Sequence, residues 1–365
     1  MSLFDYLIEL SMFFFLSFSV LYCMRKVGYA VGLVDKPNAR KHHEGVVPLV
    51  GGLSLCITVL YFLYVNAAEF KRVEVAAACL TVLVLIGVAD DRFDISFKLR
   101  MGVQAILALI IMNYTGLTLS HVGNVFGLGV LDFPVVLDSI ITVIAVIGAI
   151  NAFNMVDGID GLLGGLASVT FTALGTVFFM SGNEYLGTIC LLIVTALVPY
   201  IMLNLGFPLG RRFKIFMGDA GSMFIGFSVV WMLIRGTQEP EVIAFKPVTA
   251  LWVIAIPLMD MATIMIRRMR KGHSPFKPDR EHLHHICQRI GLSPLMTLFV
   301  ICLMASICAF VGIWTDLHGV NESVMFVAFL VMFAVYFMAI SYIWRITTFI
   351  KKLFGRNTNT QEAHQ

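Results

Sequence analysis

The sequence predicts an all-α, polytopic integral membrane protein with about eleven transmembrane helices. Three observations carry that prediction. Of the 365 residues, 59% are hydrophobic and only 13% are charged, against about 25% charged in ordinary soluble domains. Mean hydropathy is +0.87. Apolar runs recur from end to end, each close to the ~17–25 residues that cross a hydrocarbon core of about 30 Å as a helix.

In chain order the runs cover 3–24, 46–65, 74–90, 99–116, 131–151, 161–181, 185–204, 215–235, 247–267, 295–314 and 323–346. Asp5 and Glu9 stand where a signal peptide would be basic, and no small-residue cleavage site follows. The first run therefore reads as a retained helix. A Gly-rich, uncharged loop around 116–129 separates the fourth run from the fifth. The expected organisation is one transmembrane catalytic domain, 1–350, and a basic, polar tail, 351–365. The seven cysteines are scattered and form no CxxC pair, which supports neither a disulfide framework nor a zinc ribbon. The absence of an internal repeat weakens an inverted-repeat transporter reading. A net charge of +3 gives no reason to expect a nucleic-acid partner.

Charge distribution sets the expected orientation. The loops after odd-numbered runs, with the tail, hold all 26 Lys and Arg except Lys71, Arg72, Arg235 and Lys246. The basic side of a membrane protein is cytoplasmic, so the N-terminus is expected in the periplasm and the C-terminus in the cytoplasm. Every unusual polar motif falls in those same basic loops, which points to a one-sided active site facing the cytoplasm.

The most informative stretch is Asn151–Leu162. Asn151, Asn154, Asp157 and Asp160 recur every third residue between apolar runs, with no Lys or Arg among them. Acids at a membrane edge are costly unless paired or metal-bound, so they mark a functional site by default. All four could share one ligand only if the helix tightened toward 3₁₀ geometry; a polar helix-capping cluster is the plainer alternative. Asp90 and Asp91, at the end of the third run, repel each other and cannot both ionise in a partly buried place without a cation. A hard divalent ion with oxygen ligands, plus a base, fits them; a solvated helix cap is the alternative. Asp219 lies between Gly218 and Gly221 where the eighth run enters the membrane, so a metal or phosphate could reach it and the helix start. Phe216 is either an interfacial anchor or a base-stacking platform.

The long loop from Arg267 contains Arg280, His282, His284 and His285. A zinc site is conceivable there, but the basic surroundings suit a phosphate clamp better. Arg267, Arg268, Arg270 and Lys271 are expected mainly at lipid headgroups, and Asp260, inside the ninth run, is expected to pair with one of the arginines. Many acids suited to a cation, beside many bases suited to phosphate, suggest metal-dependent phosphoryl transfer. No GxxxxGK[ST] loop or kinase signature is present, so no nucleoside triphosphate is implied.

Together, Val34–Pro37, Pro48–Gly52, Asp90–Asp94, Asn151–Leu162, Phe216–Ser222 and Pro278–His285 resemble the polyprenyl-phosphate N-acetylhexosamine-1-phosphate transferases. The resemblance implies attack of undecaprenyl phosphate on the sugar-bearing phosphorus of UDP-N-acetylglucosamine, with release of UMP and a requirement for Mg²⁺ or Mn²⁺. It implies a bacterial inner-membrane location. It further implies base and metal-related roles for Asp90 and Asp91, and a metal-ligand role for Asp219. Asn154, Asp157 and Asp160, with Asn151, would form the nucleotide and metal pocket, and Phe216 would stack on uracil. His282, with Arg280, His284 and His285, would handle the sugar diphosphate, and Arg40 and Lys41 are candidates for contact with the base. Relatives that use UDP-N-acetylmuramoyl-pentapeptide carry a different last-loop pattern; Arg-x-His-x-His-His here favours the simple amino sugar. UDP-N-acetylgalactosamine stays open as a donor, and so does a homo-oligomeric state. An ion-coupled transporter and an intramembrane aspartyl protease are the rivals from other classes.

Overall fold

The computed structural model describes residues 3–37, 45–66, 74–239, 243–275 and 281–353; Arg40, Lys41 and Arg280 lie outside them. The helices are α1 (Leu3–Val31), α2 (Gly51–Val65), α3 (Glu74–Phe93), α4 (Phe97–Thr115), α5 (Val135–Val156), α6 (Leu162–Met180), α7 (Glu184–Asn204), α8 (Gly218–Gln238), α9 (Pro247–Val253), α10 (Ala255–Arg270), α11 (Leu283–Arg289), α12 (Pro294–Leu317) and α13 (Glu322–Leu353). Among the described residues the only strands are β1 (Val34–Asp35) and β2 (Val47–Pro48), paired antiparallel with Val34 opposite Pro48.

Eight of these helices are long and apolar enough to cross a membrane, and the protein is an all-α polytopic membrane protein. The α9–α10 pair makes a ninth span only as one broken unit, bent by 80°. Helix α2 is apolar but short, and α3 carries Glu74, Asp90 and Asp91 near its two ends.

Helix α8 is the axis of the bundle. Nearly all of it is buried, with α3 and α5 along its sides and α2, α6 and α9 around it. A helix apolar on every side is a core helix. Small residues let the backbones close up. A Cβ on Gly52 would collide with the Gly221 backbone, and one on Gly87 with the Ala220 backbone. Such close approach is the usual packing solution where lipid supplies no hydrophobic drive between helices.

The caps are local. Asn183 accepts from the Leu186 amide at 3.1 Å to start α7, and Ser293 accepts from the Met296 amide at 3.2 Å, with Pro294 next, to start α12. Each leaves fewer orphan amides at a helix start. At the end of the bundle away from the motifs, Gln238 bonds Ser120 and His121, Glu322 accepts from the Asn124 amide and Lys246 pairs with Asp316. The loops carrying the sequence motifs gather at the opposite end.

Candidate active site

The start of α8 is where the motifs meet. The Phe216 amide donates to the Pro48 carbonyl at 2.8 Å, and the Gly51 and Gly52 amides donate to the Phe216 and Met217 carbonyls at 2.9 Å each. The 48–52 and 215–218 segments are thereby sewn into one platform. Gly218 follows with φ +73°, and a Cβ there would strike the Asp91 carboxylate. Only glycine takes this turn without strain and also leaves the acid room. Asp91 uses that room: its Oδ1 accepts from the Asp219 amide at 2.8 Å and its Oδ2 from the Ala220 amide at 3.3 Å. An acid from α3 thus caps α8 in the place of a local side chain, favoured by the helix dipole.

Asp90, buried, pairs with Arg100 of α4. The same Arg100 Nη1 lies 3.5 Å from Asp219 Oδ2, so one guanidinium faces both acids. Asn154 donates to Asp219 Oδ1 at 2.5 Å and to Ser222 Oγ at 2.8 Å. Asp157, just past the end of α5, is open to solvent on one side. The surrounding protein, helped by the nearby Asp219 and Asp160, raises its carboxyl to about 7. This is a partly dry cleft in which negative charge is in excess.

Asp160 pairs with Lys214 at 2.6 Å, and the same ammonium lies 5.0 Å from the centre of the Phe216 ring. Within the 151–162 stretch Asp160 thus acquires Lys214 in space, while Arg100 serves Asp90 and Asp219. The four polar residues of 151–160 do not form a single ligand face. Asn151 turns back to its own helix, donating to the Ile147 carbonyl at 2.7 Å, while α5 ends at Val156 and carries Asp157 and Asp160 away in turns.

The last loop closes over this stretch. A Cβ on Gly158 would meet the His284 ring, which is buried, packed against His285 with ring centres 4.1 Å apart. Burial, with His285 and His282 alongside, lowers His284 from 6.5 to about 3, so it is a neutral, packed ring and no cationic clamp. His282 is also buried and its Nδ1 meets Asp260 at 2.7 Å. The expected pairing of Asp260 with an arginine is therefore replaced by one with histidine. The basic cluster behaves differently from a simple headgroup belt as well. Arg267 and Lys271 both pair with Glu281, Arg268 is buried and donates to the Pro275 carbonyl at 2.6 Å, and Arg270 lies over the Phe337 ring.

Residues 73–237 match the glycosyl transferase family 4. The undecaprenyl-phosphate alpha-N-acetylglucosaminyl 1-phosphate transferase of Salmonella typhimurium is 46% identical over 366 residues, covering 99% of this chain and 98% of that protein. The proteins of the same description from Haemophilus influenzae and Escherichia coli strain K12 are 43% and 45% identical over 350 and 340 residues, covering 95% and 92% of this chain and 97% and 91% of their own length. The chain belongs to glycosyl transferase family 4.

Two residues that shape the candidate site of this glycosyl transferase family 4 protein are not among its motifs. Arg100 looks in sequence like any loop cation; only its position beside Asp90 and Asp219 distinguishes it. Asn204, buried at the end of α7, accepts from the Gly161 amide at 2.5 Å and donates to the Ile215 carbonyl at 2.7 Å. It thereby ties the 157–161 turns to the platform under Phe216. A polar residue closing a long apolar helix was the available signal.

Proposed function

We propose that the protein transfers N-acetylglucosamine 1-phosphate from UDP-N-acetylglucosamine to undecaprenyl phosphate at the cytoplasmic face of the bacterial inner membrane. An oxygen of the lipid phosphate attacks the sugar-bearing phosphorus, the bond from that phosphorus to the bridging oxygen breaks, and UMP departs. The observation that carries the reading is the convergence of Asp90, Asp91, Asp157 and Asp219 with Arg100 at one end of a membrane bundle, in a chain so similar over its full length to named transferases.

Phosphoryl transfer is mainly positioning plus neutralisation of charge. Arg100 and Lys214 supply fixed positive charge, and Asp90 or Asp91 would supply the base, with Asp157 and Asp160 as further acids of the same cleft. His282, His284 and His285 border the place where the sugar diphosphate would lie, and the Lys214–Phe216 pair would border the uracil. Arg40, Lys41 and Arg280 complete the proposed donor contacts.

A divalent cation, Mg²⁺ with Mn²⁺ as substitute, fits the donor set. Among the described residues no three acid, His or Cys side chains form a closed cage, but Mg²⁺ ordinarily takes one or two carboxylates and completes its shell with water and substrate phosphates. Asp219 would hold it, with Asp91 beside it. When bound, the ion would neutralise the diphosphate and the developing charge on the leaving phosphate. Eleven spans, an N-terminus in the periplasm and a single catalytic domain over 1–350 belong to the same proposal: α2, α3 and the broken α9–α10 unit make up the number, and the gathering of the motif loops at one end supports the orientation.

The test is UMP release by purified protein in detergent with undecaprenyl phosphate, Mg²⁺ and a panel of UDP-sugars. Metal-dependent release with UDP-N-acetylglucosamine is expected. Release only with UDP-N-acetylgalactosamine or the muramoyl-pentapeptide donor would reassign the substrate, and none with any donor in folded protein would sink the proposal.

A further inference from the structure

We propose that Asp260 is a positioning residue whose task is to hold His282 in one tautomer and one orientation at the edge of the donor site. The inference deepens the proposed transferase reading and rests on it. Asp260 lies on α10 and is 2% exposed. Its Oδ2 meets His282 Nδ1 at 2.7 Å, while its Oδ1 accepts from the Leu283 amide at 3.0 Å and from the Tyr336 hydroxyl at 2.9 Å. An ionised carboxylate can only accept, so the imidazole proton resides on Nδ1. One acid on α10 therefore binds the head of α11 and the middle of α13 through three donors.

A buried carboxylate in a membrane bundle is expensive even when its bonds are made. Packing of α10 against α13 would be served as well by an apolar side chain, so retention of the acid calls for a task beyond cohesion. The neighbouring geometry supplies one. The His282 ring lies nearly parallel to that of His284, at 9° with centres 5.7 Å apart, and His284 is the ring that a Cβ on Gly158 would strike, beside Asp157. The held His282 ring lies alongside the second, at the border between the last loop and the acidic cleft. A carboxylate on one imidazole nitrogen sets what the other nitrogen can do.

The experiment compares wild type, Asp260→Asn, Tyr336→Phe, His282→Ala and the Asp260→Asn/His282→Ala double variant of the full-length protein in detergent. The asparagine keeps the shape and can still accept from Leu283 or Tyr336, but its NH₂ group facing Nδ1 forces the imidazole proton to the other nitrogen. We expect kcat to fall by about 100-fold or more, with KM for undecaprenyl phosphate within about threefold and an unchanged melting temperature, and the double variant no slower than His282→Ala alone. Tyr336→Phe, losing one donor of three, should lose only a few-fold. In parallel, solid-state ¹⁵N spectra of histidine-labelled protein, assigned by loss of a signal in His282→Gln, should show His282 protonated at Nδ1 in wild type and not in Asp260→Asn. Near-wild-type turnover in Asp260→Asn, a double variant slower by the product of both single effects, or an unprotonated Nδ1 in wild type would each overturn the proposal. A wild type without turnover would defeat the transferase reading, while the ¹⁵N spectra would still decide the pairing.

Discussion

His284 makes stability depend on pH in a direction that can be worked out. The side chain is 3% exposed, and among the described residues its Nε2 has no hydrogen-bond partner. Burial, with His285 and His282 close by, lowers it from 6.5 to about 3. Between these values the unfolded chain holds a proton at this position and the folded protein does not. Stability from this group is therefore complete above pH 6.5 and declines as pH falls toward 3. At pH 5 the gap from 6.5 is about 1.5 units, worth about 2 kcal/mol at 1.36 kcal/mol per unit. At about 2.1 cal/mol/K per residue, that corresponds to roughly 3 °C of melting temperature for a chain of 365 residues. Other groups titrate in the same range, so the diagnostic is a comparison. Melting of wild type and His284→Asn is followed in the same detergent at pH 7.5 and 5. The variant should lose about 3 °C less than wild type on acidification. Parallel losses in the two proteins would refute the assignment of a buried neutral imidazole.

Three further outcomes are expected. Arg100→Met leaves the buried Asp90 without its cation; breaking such a pair costs up to about 3–5 kcal/mol, reduced to roughly 2 kcal/mol by the partial exposure of Arg100 and Asp219, so thermal unfolding should come earlier and UMP release should fall sharply, whereas unchanged values would remove Arg100 from the site. Gly158→Ala places a methyl group against the buried His284 ring; overpacking of this kind costs about 1–3 kcal/mol, so the melting temperature should drop, with partial recovery of stability when His284 is also shortened to alanine. Asp219→Asn should abolish turnover at ordinary Mg²⁺ and shift any residual activity to much higher metal concentration, as a metal titration would reveal; turnover like that of wild type would exclude Asp219 as a ligand.

The apolar runs anticipated the helices well because a hydrocarbon-spanning helix is a property of a single segment: its backbone bonds are internal, and length and hydropathy suffice to mark it. The expected runs 185–204 and 323–346 lie within or on α7 and α13, Glu184–Asn204 and Glu322–Leu353. The break at Ile254, an 80° bend between α9 and α10, lies outside what hydropathy alone marks; its signal in the ninth run is Pro257, which cannot bond the carbonyl four residues back, that of Val253. The candidate acids were legible for a related reason: Asp90, Asp91, Asp157, Asp160 and Asp219 stand out because charge is rare and costly in such a chain.

The sequence by itself determined that this is a helical membrane protein with acids and bases in its basic loops, because composition and periodicity act residue by residue. Only the tertiary structure decided how those charges are spent. Arg100 reaches Asp90 and Asp219, Lys214 reaches Asp160, Asp91 caps the helix that carries Asp219, and Asp260 takes His282 in preference to an arginine. These pairings join residues far apart in the chain, between helices whose separations are set by glycines such as Gly52 and Gly87 packed against α8. Electrostatic energy depends on distance and on burial, and neither is defined until the helices have packed.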